Sequence, residues 1–226
     1  TVSTFFPEGN PETSTVDGFL EHFVANPGAS WATIHDGAGT GASASAVTVR
    51  AQIDFSNTSG TPFGQIIRTV VLFPTDTMPD DAVISAATLD FAATAKTDQA
   101  QTNDLCLVAM AAGSPISNIA LENADYLHTR FGTTIQAPVI ALADVTPVDG
   151  SAYNTTPFTL NADGRASISL TAVTRFGVRV ERDRADTAPT FVSSGQINVI
   201  FASAETGLTG EKRPRLSVTY TQPDDV

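Results

Sequence analysis

The chain has 226 residues and a mass of 23.6 kDa, enough for a core that buries roughly 70% of the unfolded surface without metals or disulfides. Its 12 Lys and Arg against 24 Asp and Glu leave a net charge of −12, which argues against sequence-independent nucleic-acid binding, since that needs cations to displace phosphate counterions. A single cysteine, Cys106, excludes an intrachain disulfide and any Cys-based zinc cluster, and its apolar neighbours Leu105, Leu107 and Val108 mark it as a buried small hydrophobe.

Taken in chain order, the sequence reads as strands. No cation precedes Arg50, so no signal-peptide n-region is present, and Thr1 fits a cleaved leader or a trimmed initiator methionine equally. Residues 30–35 read as a strand, followed by the glycine run Gly37-Ala38-Gly39-Thr40-Gly41-Ala42. Residues 47–55 alternate without a fault, with Val47, Val49, Ala51, Ile53 and Phe55 on one face and Thr48, Arg50, Gln52 and Asp54 on the other; period 2 means one face in the core and one in water. Residues 63–73, 83–91, 104–110 and 196–202 are further runs rich in Ile, Val and Phe. Shorter alternations, Phe176-Val178-Val180 and Leu216-Val218-Tyr220, follow the same rule. Turn clusters such as Asn57-Thr58-Ser59-Gly60, Pro79-Asp80-Asp81 and Ser193-Ser194-Gly195 separate these runs. Helix is scarce. The 3-4 spacing of Ala120, Leu121, Ala124, Leu127 and Phe131 predicts a short amphipathic helix over 119–128, and 163–171 is a second candidate. The charge-free stretch 105–121 is broken by Gly113-Ser114-Pro115 and is not a membrane span. With no internal repeat, linker or composition break, the expectation is one domain over 1–226. It is all-β, a single antiparallel β-sandwich of jelly-roll type with one or two short helices in its connections.

Two stretches carry a resemblance. Phe73-Pro74-Thr75-Asp76-Thr77-Met78-Pro79, continuing to Ser85-Ala86-Ala87-Thr88-Leu89, resembles the strand, Leu-Pro turn and Ser-Ala-Thr-Leu strand of the DNRLRE-type β-sandwich domain family. Phe201-Ala202-Ser203-Ala204-Glu205, with Arg213-Pro214-Arg215-Leu216-Ser217-Val218-Thr219-Tyr220, resembles that family's closing strands. Some members are classed as carbohydrate-binding modules. The opening Thr4-Phe5-Phe6-Pro7-Glu8-Gly9-Asn10-Pro11-Glu12-Thr13, with Val16-Asp17-Gly18, is similar to β-sandwich proteins encoded in tailed-phage genomes. These motifs carry fold, and no catalytic residue comes with them.

Few residues point to chemistry. The glycine run fits G-x-G-x-x-A, but a dinucleotide site needs a helix directly after the glycines, and here the cleanest strand follows. His22, His35 and His128, the only histidines, share no close ligand spacing, and no G-x-S-x-G elbow occurs. Asp76, Asp80 and Asp81 lack the spacing of a calcium loop, yet they are the carboxylates that would hold a structural calcium ion. Glu181, Asp183 and Asp186 interleave with Arg179, Arg182 and Arg184, which reads as a surface ion-pair network. Trp31, Tyr126 and Tyr153 are the candidates for stacking on a sugar ring, the tyrosines being read as exposed near loops and Trp31 weighed against burial beside Ile34. Asn57-Thr58-Ser59 and Asn154-Thr155-Thr156 fit the glycosylation pattern, relevant only to a eukaryotic secreted chain.

The sequence therefore points to a non-enzymatic structural protein of a virion surface, a tailed-phage head decoration or tail-associated protein. It would contact capsid or tail subunits, form a homo-oligomer, and bind neither nucleic acid nor membrane. The alternative is a glycan-binding module, on a virion or a cell surface, that recognises polysaccharide through aromatic stacking and side-chain amides. A surface-layer building block is a third, extracellular, reading.

Overall fold

The longest β-rich run of the sequence forms β5 (Phe63–Phe73), and it is the strand around which the others are arranged. From Ile66 to Phe73 every side chain is buried, which a strand achieves only when both its faces are covered. The computed structural model describes residues 1–99, 103–148, 153, 156–206 and 212–222. Among them no helix is long and apolar enough to cross a membrane.

Two antiparallel sheets pack against each other. The smaller runs in the order β1 (Val2–Phe5), β14 (Arg215–Thr221), β6 (Val83–Asp90), β11 (Phe158–Thr159). The larger runs β10 (Ile140–Ala141), β8 (Asp104–Met110), β12 (Thr174–Val180), β5, β4 (Thr48–Phe55), β13 (Gln196–Ala202), β7 (Ala93–Asp98). To it are added β2 (Asp17–Phe23) on β5, β3 (Gly41–Ser43) on β2, and β9 (Phe131–Ile135) on β8.

The registers show how the larger sheet encloses a core. β2 occupies one edge of β5 along residues 65–71. The other edge is divided, with β4 pairing to residues 63–67 and β12 to residues 69–73. A strand has two edges, so β4 and β12 leave β5 on the same side and diverge as two leaves. One leaf points Phe176, Val178, Val180, Leu105 and Leu107 inward, and the other points Val49, Ala51, Ile53, Val199 and Phe201 to meet them. The smaller sheet adds Phe5, Ala87, Leu89, Leu216, Val218 and Tyr220. All three groups converge where Leu89, Leu105, Phe158 and Phe201 surround Phe91, whose ring centroid lies 4.8 Å from that of Phe201. The void left among them is about 20 Å³, room for no more than a water molecule. The all-β sandwich expected from the alternation is the fold of the chain.

The connections depart from expectation in three places. Residues 30–35 are not a strand: Trp31–Asp36 form α1, because the Ser30 hydroxyl caps the helix by accepting from the Thr33 amide at 3.2 Å while Ile34 and His35 are buried on one face. The glycine run that follows leads into β3, with no helix after it. The helix expected over 119–128 is replaced by two 3₁₀ turns, Asn123–Tyr126 and His128–Arg130. There Asp125 is buried, and its carboxylate accepts from the amides of Ile116 at 2.9 Å and Glu122 at 3.0 Å, which holds the chain in a tight turn. The segment 163–171 contains only the short α2 (Ala162–Ala166), capped by Asn161. Cys106 is buried as expected, its thiol donating to the Arg179 carbonyl, and burial pushes that thiol well above its usual range.

At the junction of β2 with the turn after β13, Asp17 is fully buried and accepts from the Ala204 amide at 3.1 Å. Burial first, then the charge of Glu205, pushes the Asp17 carboxyl well above the ordinary range, and Glu205 is itself raised by burial and by Glu12. A raised folded pKa means that the stability these carboxyls contribute is present in acid and is lost as pH rises through the raised values. Glu205→Gln should therefore stabilise more at pH 8 than at pH 5, since both carboxylate oxygens of Glu205 are shielded from solvent. Urea unfolding at the two pH values reads the difference, and a gain equal at both would contradict the linkage.

Candidate functional site

The outer face of the β12 leaf carries charges under cover. Arg68 on β5 and Arg179 on β12 lie one residue beyond the Thr69–Val178 pair, side by side on that face. Neither is exposed. After β12 the chain turns abruptly into α3 (Glu181–Arg184), which folds Asp183 back under the sheet. Its carboxylate accepts from Arg68 Nε at 2.9 Å and Nη2 at 2.7 Å, and from Arg179 Nε at 2.6 Å. Burial opposes the charge on Asp183, but the two guanidiniums outweigh it and hold the carboxyl far below the usual range. Arg68 also donates to the carbonyls of His35 and Tyr126. The Tyr126 ring lies against the Arg68 guanidinium, 4.1 Å from its carbon, and the Phe131 ring lies 5.3 Å from that of Arg179. The network expected at the surface is thus half buried: Arg179 and Asp183 are core, while Arg184 pairs with Glu181 at the rim.

Above this layer sit the histidines that the sequence keeps apart. His35 Nε2 donates to the Asp183 carbonyl at 2.8 Å, which turns Nδ1 toward Asp36 Oδ1 at 2.5 Å and Asp186 Oδ1 at 3.5 Å. His128, from the second 3₁₀ turn, stacks on His35 with centroids 5.2 Å apart and brings its Nδ1 to 3.3 Å from the same Asp36 oxygen. Burial, despite Asp36, holds the His128 imidazole below its usual range. Among the described residues, His35, Asp36 and His128 are the group whose ligating atoms all lie within 4.8 Å of one another. Asp76, Asp80 and Asp81, all exposed, are not part of such a group. No Ser, Thr or Cys side chain hydrogen-bonds a histidine ring among the described residues, so the relay of a Ser-His-Asp triad is not assembled there.

The three aromatic candidates do not behave alike. Trp31 is half-buried, stacked on His35 at 5.3 Å, with its indole N–H donating to Asp186 at 2.8 Å. Tyr126 is fully buried, contrary to the loop position that suggested exposure: its ring covers Arg68 and its hydroxyl donates to the Ile34 carbonyl at 2.7 Å, so it has no free face for a sugar. Tyr153 is half-buried, its hydroxyl donating to the Arg213 carbonyl and its ring lying under Arg215. Asn154 and Thr155 of the second glycosylation pattern lie outside the described residues.

Two outer sheet faces were not singled out from the sequence. On the outside of the β4 leaf, Gln52 donates to Asp54 and Gln65, Gln65 to Glu21, Gln196 to Asp54 and Asn198 to Gln196, an amide and carboxylate row across four strands. Phe23, 54% exposed, sits opposite Gln65 at its end. The polar face of 48–54 was the visible signal; its partners on other strands were not. The outside of the smaller sheet is different. The registers align Thr4, Ser217, Thr88 and Thr159 in one row and Val2, Thr219 and Ala86 in the next, with Thr221 opposite Val83. None of these positions is charged, and the nearest ion pair, Arg215–Asp90, closes one end.

No protein-family model matches the chain, and no curated protein matches it.

Proposed function

We propose that the protein is a non-enzymatic structural subunit of a virion surface, of the tailed-phage head decoration or tail-associated kind, and that it meets its neighbours through the outer face of the smaller sheet. One observation carries this reading. In a chain of net charge −12, that face, beyond the Arg215–Asp90 pair at one end, is an uncharged Thr, Ser, Ala and Val surface. Two such acidic bodies repel wherever their general surfaces meet, and a charge-free face is where contact costs least; depletion of charge is also the compositional mark of interface centres. The short strand β1 borders it and, among the described residues, is the edge of that sheet, the position from which a strand can pair with another chain. The chain should self-associate in sedimentation velocity at high concentration, and Thr219→Arg should abolish that while moving stability by no more than about 0.5 kcal/mol. A wild-type chain that stays monomeric throughout, or an arginine variant that associates unchanged, would refute the assignment of this face.

A second reading, glycan binding, is favoured by the half-buried amides of Gln65 and Gln196 and the exposed Phe23 ring, since side-chain amides and an exposed ring are the groups that recognise sugar hydroxyls and pyranose faces. A saturable glycan-array signal lost in Phe23→Ala would establish this instead.

A further inference from the structure

We propose that His35, Asp36 and His128 bind one divalent transition-metal ion of the zinc class, which fastens α1 to the 3₁₀ turn at His128–Arg130 over the outer face of the larger sheet. The donor set is two imidazoles and a carboxylate, which suits zinc and its neighbours rather than calcium or magnesium, whose ligands are oxygens.

Two of the three ligand pairs lie near the spacing such an ion needs, and all three ligating atoms lie within 4.8 Å of one another. Bonds of about 2.0–2.2 Å in a tetrahedron place ligand atoms roughly 3.3 Å apart. His128 Nδ1 and Asp36 Oδ1 are 3.3 Å apart, while His35 Nδ1 and Asp36 Oδ1, at 2.5 Å, have to open by a fraction of an ångström, a shift within reach of the half-exposed Asp36 side chain.

The supporting shell is already in place. A ligating histidine ordinarily donates its other ring N–H to a carbonyl or carboxylate, which fixes the tautomer and the ring orientation. His35 does so: a carbonyl only accepts, so Nε2 carries the proton given to Asp183, and Nδ1 is the atom aimed outward. That carbonyl is held in turn by Arg179 Nη2 at 2.8 Å, so the buried ion pair anchors the ligand. Trp31 also stacks on the His35 ring. His128 Nδ1 supplies an independent sign. The atom is shielded from solvent and makes no hydrogen bond, although the His128 side chain is 40% exposed. An imidazole nitrogen turned inward, facing the Asp36 carboxylate at 3.3 Å without forming a hydrogen bond to it, is oriented as a ligand rather than toward water. The exposure of Asp36 and His128 leaves the ion a path in, and water fills the fourth position.

The test is Zn²⁺ titration of a tag-free chain by calorimetry, with Co²⁺ absorption as a report of nitrogen ligation. One ion per chain is expected, with a rise in melting temperature that Ca²⁺ does not produce. Asp36→Asn and His128→Gln, both at half-exposed positions, should each weaken binding at least tenfold while the apo protein melts as wild type does. His35 is buried beside the ion pair, so His35→Ala is not the deciding variant. Absence of binding by the folded wild type, or binding that survives both substitutions, would overturn the proposal, as would a preference for Ca²⁺.

Discussion

Replacing Asp183 with alanine is expected to destabilise the protein by about 3–5 kcal/mol, because it leaves two buried guanidiniums without their counter-charge. Arg68 and Arg179 have no exposure to water with which to recover hydration, and the remaining acceptors are carbonyls of His35, Tyr126 and Asp183. A loss of that size is a large share of the 5–15 kcal/mol typical of a folded domain, so the urea midpoint should fall steeply with little change in slope. The converse experiment separates pairing from packing. Replacing Arg68, Arg179 and Asp183 together by Met, Leu and Leu should be far less damaging than Asp183→Ala alone, since no unpaired charge remains. The pH dependence has a definite sign. The carboxyl is held far below the ordinary aspartate range, so its contribution is present above that range and disappears only as pH falls through the displaced value. Asp183→Ala should therefore cost nearly as much at pH 5 as at pH 8. A cost that vanishes by pH 5 would mean that the ion pair does not exist in solution.

This network shows why part of the structure was hidden in the sequence. Arg179 and Asp183 are four residues apart amid alternating charges, a pattern indistinguishable from a solvated face when the chain is read linearly. What buries them is the change from strand to helix between Val180 and Glu181, together with Arg68, which arrives from β5. Arg68 sat inside an apolar run with nothing nearby in sequence to neutralise it. A lone arginine in a β-rich run is a signal of a distant carboxylate, though not of which one. His35 and His128 raised the same difficulty in sharper form, since neither has a neighbour at metal-ligand spacing and only the turn at Asp125 brings them together.

Where one face of a strand meets water, the sequence was sufficient. The alternation of 47–55 and 216–220 marked β4 and β14 because polar and apolar residues report the two faces, although Val47, read as core, is exposed before the strand begins and Gln52, read as water-facing, is covered. β8 and β13 were legible from β-branched and aromatic enrichment with turn residues at both ends. Trp31–Asp36 was not, because six residues are too few to separate a period of 3.6 from one of 2, and the cap formed by Ser30 with Thr33 was the only local discriminator. Tyr126 was misplaced for a related reason: a turn adjacent in sequence to polar residues can still lie beneath a helix, and α1 covers this one through Ile34.

The other large effect is expected at Val178, where aspartate should abolish soluble expression. Val178 is fully buried, paired with Thr69 on β5 and Leu107 on β8, on the face of β12 that points between the two leaves. The flanking cations cannot rescue it. Arg179 projects from the opposite face of the strand and is already engaged with Asp183, as is Arg68. A carboxylate at 178 would be surrounded by Val, Leu and Phe with only the neutral Thr69 hydroxyl beside it, one hydrogen bond against a full buried charge, and could persist only by taking up a proton or by unfolding the leaf. The smaller truncation Val178→Ala removes packing without adding charge and should cost about 2 kcal/mol, leaving a folded chain. Ser217→Asp, a charge placed on the water side of β14, should express as wild type does. The contrast between 178 and 217 tests the inward and outward registers of the sandwich together. Wild-type yield from Val178→Asp would place that residue at the surface, and β12 could then not be the strand that closes the core.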